Sequence, residues 1–139
     1  MRHFILASHG KFADGILHSL ELIKGKHENI WTINAYTNEN EDLQTQIREL
    51  LEDLDVNDEL VVVTDIFGGS INNEFMNLLH DRRIHVIAGL NLPLVIELVT
   101  MSKHEKDVVN LIKTALINSK RSIQYCNIIL NNEDADEDF

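Results

Sequence analysis

The sequence has 139 residues, the length of one domain with a single hydrophobic core. Its content of 44% hydrophobic and 25% charged residues is that of an ordinary globular protein. The formal net charge of −11 argues against a nucleic-acid-binding protein, because such proteins present a basic surface to the phosphate backbone.

Strand and helix patterns alternate along the chain. Short apolar runs are followed by segments in which apolar residues recur every three or four positions. The only proline, Pro93, suits the first turn of a helix. In chain order we predict a strand at residues 3 to 8, a helix at 12 to 24, a strand at 29 to 35, a helix at 40 to 54, a strand at 60 to 66, a helix at 70 to 80, a strand at 85 to 88, helices at 93 to 102 and 105 to 119, and a last strand, at an edge, at 123 to 130.

This alternation predicts an α/β fold with a single doubly wound, mainly parallel sheet and helices on both faces. Residues 60 to 66 are nearly all apolar, which is typical of a strand buried on both sides. We predict one domain over residues 1–130. Residues 133 to 138 carry five acidic residues and no basic one, so we predict that residues 131–139 form a solvated, disordered tail.

Cysteine content and apolar run lengths indicate the compartment. Cys126 is the only cysteine, so we expect neither an internal disulfide nor a multi-cysteine zinc site, as in the reducing cytoplasm. The first apolar run is too short for a signal peptide, and no apolar stretch reaches the ~18 residues that cross a bilayer. We therefore expect a cytoplasmic protein.

The loops after the first and third strands should meet. Open parallel sheets bind ligands beyond the carboxyl ends of their strands, where the strand order reverses. In a flavodoxin-like order this point lies between strands one and three, so His9 of Ser8-His9-Gly10 should lie beside Asp65. A carboxylate that accepts a hydrogen bond from one imidazole nitrogen leaves the other nitrogen free as a nucleophile. We predict His9 as the nucleophile and Asp65 as the residue that orients it.

Gly68, Gly69 and Ser70 follow at the start of a predicted helix. Two glycines let backbone amides turn toward a ligand, and a helix N-terminus attracts an anion. An ordinary strand-to-helix turn with Ser70 as N-cap is the simpler interpretation, and it is compatible with the first. Together with His9 and Asp65, these residues suggest phosphoryl transfer through phosphohistidine.

Further residues flank the two motifs. Lys11 either supports an incoming phosphate or an acidic partner surface, or is an ordinary solvated lysine. Phe12 and Phe67 either form an apolar rim for a partner or pack into the core, and the sequence does not decide between these alternatives. We assign no catalytic role to the other histidines, of which His80 and His104 lie near predicted helix C-termini.

Three ordered motifs resemble the enzyme IIA component of the mannose-type sugar phosphotransferase system. They are Ile5-Leu6-Ala7-Ser8-His9-Gly10, Val63-Thr64-Asp65-Ile66-Phe67-Gly68-Gly69-Ser70, and Val86-Ile87-Ala88-Gly89-Leu90-Asn91-Leu92-Pro93. The resemblance covers nearly the whole chain up to the acidic tail.

The resemblance implies that His9 takes a phosphoryl group from HPr and passes it to a histidine of an enzyme IIB partner, after which membrane permease subunits phosphorylate a sugar. It implies that Asp65 hydrogen-bonds His9 and that the amides around Gly69 and Ser70 hold the phosphoryl group. It also implies a flavodoxin-type sheet with a late antiparallel edge strand, a homodimer, and no metal or organic cofactor.

The sequence departs from this family after Gly-Gly-Ser, where Ile71-Asn72-Asn73 replaces the usual Pro-Phe-Asn. Other functions are also compatible with the pattern. A receiver domain is phosphorylated on an aspartate after strand three, but it needs acidic residues after strand one, where this chain has Ser-His-Gly. A phosphotransfer domain of the dihydroxyacetone-kinase type and a non-catalytic regulator of the same fold remain alternatives.

Overall fold

The computed structural model describes residues 1–131 and divides the chain into two compact units, Met1–Leu92 and Pro93–Phe139. The predicted acidic tail, apart from residue 131, lies outside the described residues. In chain order the elements are β1 (Arg2–His9), α1 (Phe12–Lys24), β2 (Ile30–Ala35), α2 (Leu43–Glu52), β3 (Glu59–Thr64), α3 (Ser70–Met76), β4 (Ile84–Ala88), α4 (Leu92–Ser102), α5 (Val108–Arg121) and α6 (Cys126–Asn131).

The first unit is built on a four-stranded parallel sheet in the order β2-β1-β3-β4. The central strand β1 pairs with both β2 and β3, so that Ala7 lies opposite Ile33 on one side and Thr64 on the other. The predicted parallel sheet and its flavodoxin-like order are confirmed. Because all four strands run in the same direction, the ends of β1, β2 and β3 lie along one edge of the sheet.

One face of this sheet packs against α2 and α3. Alternate residues of the strands, such as Ile5 and Val62, form a buried cluster with Ile47 of α2 and with Ile71 and Phe75 of α3. This alternation is the two-residue period of a strand meeting the apolar side of two helices. The cluster holds both ends of the segment between β3 and α3, which carries most of the predicted site.

The opposite face of β1 and β2 carries α1. The Ala13 amide donates to the Ser8 hydroxyl at 2.8 Å, and the Thr32 hydroxyl donates to Asp14 at 2.6 Å. Ser8 and Thr32 belong to the strand positions that alternate with those of the buried cluster. The prediction of helices on both faces is therefore confirmed within the first unit.

The helix α2 is shorter than the predicted segment 40 to 54. Asn38 forms a turn before it, accepting the Asn40 amide at its side chain and the Glu41 amide at its carbonyl. Asparagine favours such turns because its side chain replaces a backbone acceptor. The helix consequently begins only at Leu43.

The second unit, as far as residue 131, consists of the helices α4, α5 and α6. Asp107 caps α5 by accepting hydrogen bonds from the amides of Val109 and Asn110. Asn118 of α5 donates to Glu97 of α4 at 3.1 Å. None of the helices within residues 1–131 combines the length and the apolar character that crossing a membrane requires.

The predicted strand at 123 to 130, and with it the antiparallel edge strand, is wrong. Cys126–Asn131 form α6, and every strand within the described residues runs parallel to its neighbours. The β-branched and aromatic composition of this segment suggested a strand, but a strand needs a neighbour to satisfy its backbone. A helix satisfies these groups locally, and the Ile128 amide donates to the Tyr125 carbonyl at 3.1 Å.

Candidate active site

The strand β1 ends at His9, and the chain turns there into α1. Gly10 adopts a φ of 62°, in the left-handed region that glycine tolerates best. Its amide donates to the Ala35 carbonyl at 2.9 Å, which extends the pairing of β1 with β2 by one residue. The backbone of β1 is thereby paired with β2 as far as Gly10, and this pairing holds His9 at the edge of the sheet.

Asp65 follows β3 at the same edge. Its amide donates to the Ala7 carbonyl at 3.1 Å, and its Oδ1 accepts the Ile66 amide at 2.9 Å. Its other oxygen, Oδ2, lies 2.8 Å from the His9 amide and 2.8 Å from His9 Nδ1. The structure therefore brings together the two residues that the sequence predicts as a pair, although they are 56 positions apart.

The protonation of this pair follows from its hydrogen bonds. Burial opposes ionisation of the Asp65 carboxyl, but the His9 amide, the His9 ring and the Ile66 amide outweigh burial and lower its pKa. An ionised carboxylate can only accept hydrogen bonds. The His9 Nδ1 atom therefore carries a hydrogen toward Asp65, and in the neutral ring Nε2 carries the lone pair.

The two side chains differ in their access to solvent. The His9 side chain is 44% exposed, whereas that of Asp65 is 10% exposed. The ring can therefore be reached from outside while the carboxylate behind it stays shielded. This arrangement suits a nucleophile that meets a partner at the protein surface.

The glycine loop after Asp65 is held by two consecutive asparagines. Gly68 adopts a φ of 78°, its amide donates to Asn72 Oδ1 at 3.1 Å, and its carbonyl accepts Asn73 Nδ2 at 3.3 Å. The Gly69 amide donates to the Ile66 carbonyl at 3.3 Å. Two of the three amides predicted to hold a phosphoryl group thus already have acceptors within the protein.

Asn72 connects this loop to the sheet. It is 2% exposed, and its Nδ2 donates to the Thr64 hydroxyl at 2.9 Å. That hydroxyl in turn contacts the Ile87 carbonyl at 3.4 Å. A buried amide with partners on both its atoms braces the loop against the ends of β3 and β4. The sequence marks Asn72 as part of a departure from the family pattern, but it does not predict this bracing role.

Gly69 lies next to the His9 ring. Gly69 is the N-cap residue of α3, so the predicted N-cap role of Ser70 is wrong, and Ser70 is instead the first helical residue. A Cβ at Gly69 would lie 3.7 Å from His9 Cε1, which is an ordinary contact distance. The absence of a side chain at Gly69 leaves this space open beside the imidazole.

The residues predicted to flank the site are all exposed. Lys11 precedes α1 and its charge contributes to lowering the pKa of Asp14, after the hydrogen bonds from Asn34 and Thr32. Phe12 is 49% exposed and Phe67 is 78% exposed. Of the two alternatives for these phenylalanines, packing into the core does not agree with the exposure of either side chain.

Tyr36 is a site residue that the sequence did not single out. It follows β2 with a φ of 65°, and its ring centroid lies 5.4 Å from that of His9. Its hydroxyl lies 2.8 Å from the Ser70 hydroxyl. A turn after a strand usually carries glycine or asparagine at such a φ, so a tyrosine at this position does not signal the conformation.

A separate groove of about 400 Å³ lies between α2 and α3, lined mainly by Ile47, Leu51 and Leu78 with Arg48 and Glu74. Neither His9 nor Asp65 lines it. This groove is therefore separate from the His9–Asp65 pair.

A family model described as "PTS system fructose IIA component" matches residues 3–116. The chain is 29% identical over 143 residues to the fructose-specific EIIA component of the PTS system of Bacillus subtilis, with 96% of both chains covered. It is 30% identical over 95 residues to the mannose-specific EIIAB component of Escherichia coli, where the match covers 67% of this chain but only 29% of that protein.

Solved structures agree with these matches. A crystal structure from Klebsiella pneumoniae, of a protein assigned to a phosphoenolpyruvate-dependent sugar phosphotransferase system, is similar with a TM-score of 0.88. It is 50% identical in sequence, with 93% of each chain covered. The α/β fold and its parallel sheet are therefore shared with a protein of the same transport system.

Proposed function

This chain belongs to the family of PTS fructose IIA components, within the mannose-type EIIA proteins, and we propose that it is a phosphoryl carrier that uses His9. In this proposal phosphorylated HPr donates the group and an enzyme IIB protein accepts it. Membrane permease subunits then use it to phosphorylate a sugar during uptake. The chain itself needs no organic cofactor for these transfers.

The 2.8 Å contact between His9 Nδ1 and Asp65 Oδ2 carries this proposal. It leaves Nε2 as the nucleophilic atom on a half-exposed ring. It also places a negative charge behind the ring, where positive charge develops when Nε2 attacks. Asp65 would act by orientation and charge, as the aspartate of a catalytic triad does.

The transfer conserves the protons of the pair. The Nε2 lone pair attacks the phosphorus of phospho-HPr, a new N–P bond forms, and the bond to HPr breaks with its electron pair left on HPr. The Nδ1 hydrogen stays between His9 and Asp65, so the phosphorylated ring is cationic and paired with a carboxylate. Transfer to enzyme IIB reverses these changes with a new acceptor.

Gly68, Gly69 and Ser70 would hold the phosphoryl group beside His9. The amides of Gly68 and Gly69 already have acceptors within the protein, so in this proposal the Ser70 amide, at the first position of α3, is the donor. The exposed side chains of Lys11, Phe12 and Phe67 would contribute to the surface that HPr and enzyme IIB contact. Backbone N–H groups suit the binding of a phosphoryl group because they attract its oxygens without having to move.

Location and assembly are part of the same proposal. The matched Escherichia coli relative is an EIIAB component, which supports an enzyme IIB protein as the partner. HPr is the donor that the family implies. We also propose a cytoplasmic location, one domain over residues 1–130, and a homodimer, the last of which sedimentation equilibrium of the full chain would measure.

Incubation with phosphoenolpyruvate, enzyme I and HPr tests the function. We expect an adduct of phosphoryl mass that is labile in acid, as a phosphohistidine is. His9→Ala should abolish it, whereas His18→Ala, which removes another exposed histidine of the same unit, should leave it unchanged.

Three results would contradict the proposal. Labelling of His9→Ala to the same extent would exclude His9 as the carrier. An adduct on Asp65 that is stable in acid and labile in alkali would indicate a receiver domain. A chain that takes no phosphoryl group from HPr but does so from the dihydroxyacetone-kinase system, or from neither, would favour the other two alternatives.

A further inference from the structure

Tyr36 holds a backbone conformation that tyrosine rarely adopts. Its φ of 65° lies in the left-handed region, where a Cβ crowds the following carbonyl. Glycine or asparagine would fill this turn with less strain. Strain of this kind persists where surrounding contacts hold it, and it clusters at functional sites. The contacts of the Tyr36 side chain are therefore informative.

These contacts cross the end of the strand that carries His9. In the sheet order, β2 and β3 flank β1, so the loops after β2 and β3 lie on either side of His9. Tyr36 comes from the loop after β2 and Ser70 from the segment after β3, and their hydroxyl oxygens are 2.8 Å apart. The Tyr36 ring meets the His9 ring at a centroid distance of 5.4 Å and a tilt of 41°.

The chemistry of the two hydroxyls gives this hydrogen bond a direction. A phenol is more acidic than an aliphatic alcohol, so Tyr36 is the better donor and Ser70 the better acceptor. A serine hydroxyl otherwise rotates freely about its C–O bond. When its oxygen accepts from Tyr36, the Ser70 hydrogen is directed away from Tyr36 and is polarised by the bond it receives.

We propose that Tyr36 is a positioning residue that acts through Ser70, fixing the Ser70 hydroxyl so that it donates to a phosphoryl oxygen on His9. The inference rests on His9 as the phosphorylated residue, as proposed above. Tyr36 itself forms and breaks no covalent bond, and its proton stays on its oxygen. The pair supplies one directed hydroxyl donor without adding a charge beside Asp65.

A double-mutant cycle of Tyr36→Phe, Ser70→Ala and the combined variant tests this coupling. Tyr36→Phe removes only the hydroxyl and keeps the ring against His9. The measurement is the equilibrium constant for phosphoryl exchange between HPr and each full-length chain. We expect Tyr36→Phe to lower this equilibrium constant about fivefold, toward less phosphorylated His9, which is the effect of one neutral hydrogen bond. When Ser70 is alanine, Tyr36→Phe should have no further effect.

Tyr125→Phe is the matched control, because Tyr125 is 67% exposed and Tyr36 is 64% exposed. It removes a phenolic hydroxyl just before α6, and it should leave the equilibrium constant unchanged. An effect of Tyr36→Phe smaller than twofold, or one of equal size with and without the Ser70 hydroxyl, would overturn the proposal.

A second measurement separates this inference from the proposed function. Potassium phosphoramidate phosphorylates histidine without a protein partner, so it loads His9 even if HPr is not the donor. The ³¹P resonance of phospho-His9 should then differ between the parent and Tyr36→Phe. It should not differ between Ser70→Ala and the variant that combines Ser70→Ala with Tyr36→Phe. Loading by phosphoramidate but not by HPr would refute the HPr step alone, while an unmoved resonance in Tyr36→Phe would refute the role of Tyr36.

Discussion

One oxygen of the Asp65 carboxylate lies 2.8 Å from the backbone nitrogen of His9 and 2.8 Å from its ring Nδ1 atom. The same atom therefore holds both the main chain and the side chain of His9. A ring tethered in this way cannot turn about its χ angles without breaking a charge-assisted hydrogen bond. The orientation of Nε2 is thus set before any partner arrives.

Asp65→Asn should slow phosphorylation of His9 by about 10- to 100-fold, because a hydrogen bond to a charged group contributes about 1.5–3 kcal/mol. The amide has nearly the same shape but no charge, and its NH₂ group can face Nδ1 and favour the unreactive tautomer. Rapid-quench measurement of transfer from phospho-HPr checks this. Asp81→Asn, which changes an aspartate bonded to Arg83 before β4, is the control. Equal rates for Asp65→Asn and the parent would refute the orienting role.

Gly68→Ala should affect the stability of the protein, whereas Gly69→Ala should affect phosphoryl transfer. Gly68 has a φ of 78° with open space around a Cβ, so alanine there should lower the free energy of unfolding by about 1–2 kcal/mol through backbone strain. Gly69 has an ordinary φ of −72°, so alanine there should change the free energy of unfolding little. Its Cβ would instead occupy the space 3.7 Å from His9 Cε1 and slow phosphoryl transfer.

Urea denaturation and the HPr transfer assay, run on both glycine variants, distinguish these effects. The prediction fails if Gly69→Ala transfers phosphoryl groups at the parental rate, or if Gly68→Ala is as stable as the parent.

Asn72→Ala should lower the free energy of unfolding by about 1–3 kcal/mol, because it removes the hydrogen bonds that the buried Asn72 side chain forms with the Gly68 amide and with the buried Thr64 hydroxyl. Asn73→Ala removes a longer contact of 3.3 Å from an exposed side chain and should cost at most about 0.5 kcal/mol. Equilibrium unfolding in urea measures both values. A larger loss from Asn73→Ala than from Asn72→Ala would show that the loop is braced from its exposed side.

Asp58 should make the stability of the folded state depend on pH in the acid range. The Asp55 amide first, and then the Met1 amine, lower the pKa of Asp58 from 3.8 to about 2. A lowered pKa stabilises the folded state above the unfolded value near 4, and this contribution is lost as the pH falls toward 2. Asp58→Asn should therefore melt at a lower temperature than the parent at pH 7, and the difference should shrink between pH 4 and pH 2.

Thermal unfolding followed by circular dichroism gives these melting temperatures. Asp53→Asn, at an exposed aspartate after α2, serves as the comparison over the same pH range. A melting-temperature difference for Asp58→Asn that stays constant from pH 7 to pH 2 would contradict the assignment.

Several features of the protein could be predicted because they depend on local pattern and on general rules of α/β folds. The apolar run of β3 and the helical spacing of α1 are properties of short segments. The meeting of His9 and Asp65 follows from parallel strands in this order, since residues that end adjacent strands must share one edge. Fold class and the central pair of the site were therefore accessible from the sequence.

Other features depend on which distant groups happen to be neighbours. A tyrosine after a strand carries no sign that its hydroxyl will meet Ser70, 34 positions away. The segment 123 to 130 has a composition that suits a strand, but whether it becomes one depends on an available partner strand. The local pattern of residues determined most of the elements, and the rules of parallel sheets then predicted the His9–Asp65 pair. Only tertiary contacts decided the bracing by Asn72 and the strained turn at Tyr36, because each depends on hydrogen-bond partners that the local sequence does not specify. The segment of α6 is helical because it pairs with no strand within residues 1–131, and a helix satisfies its backbone groups locally.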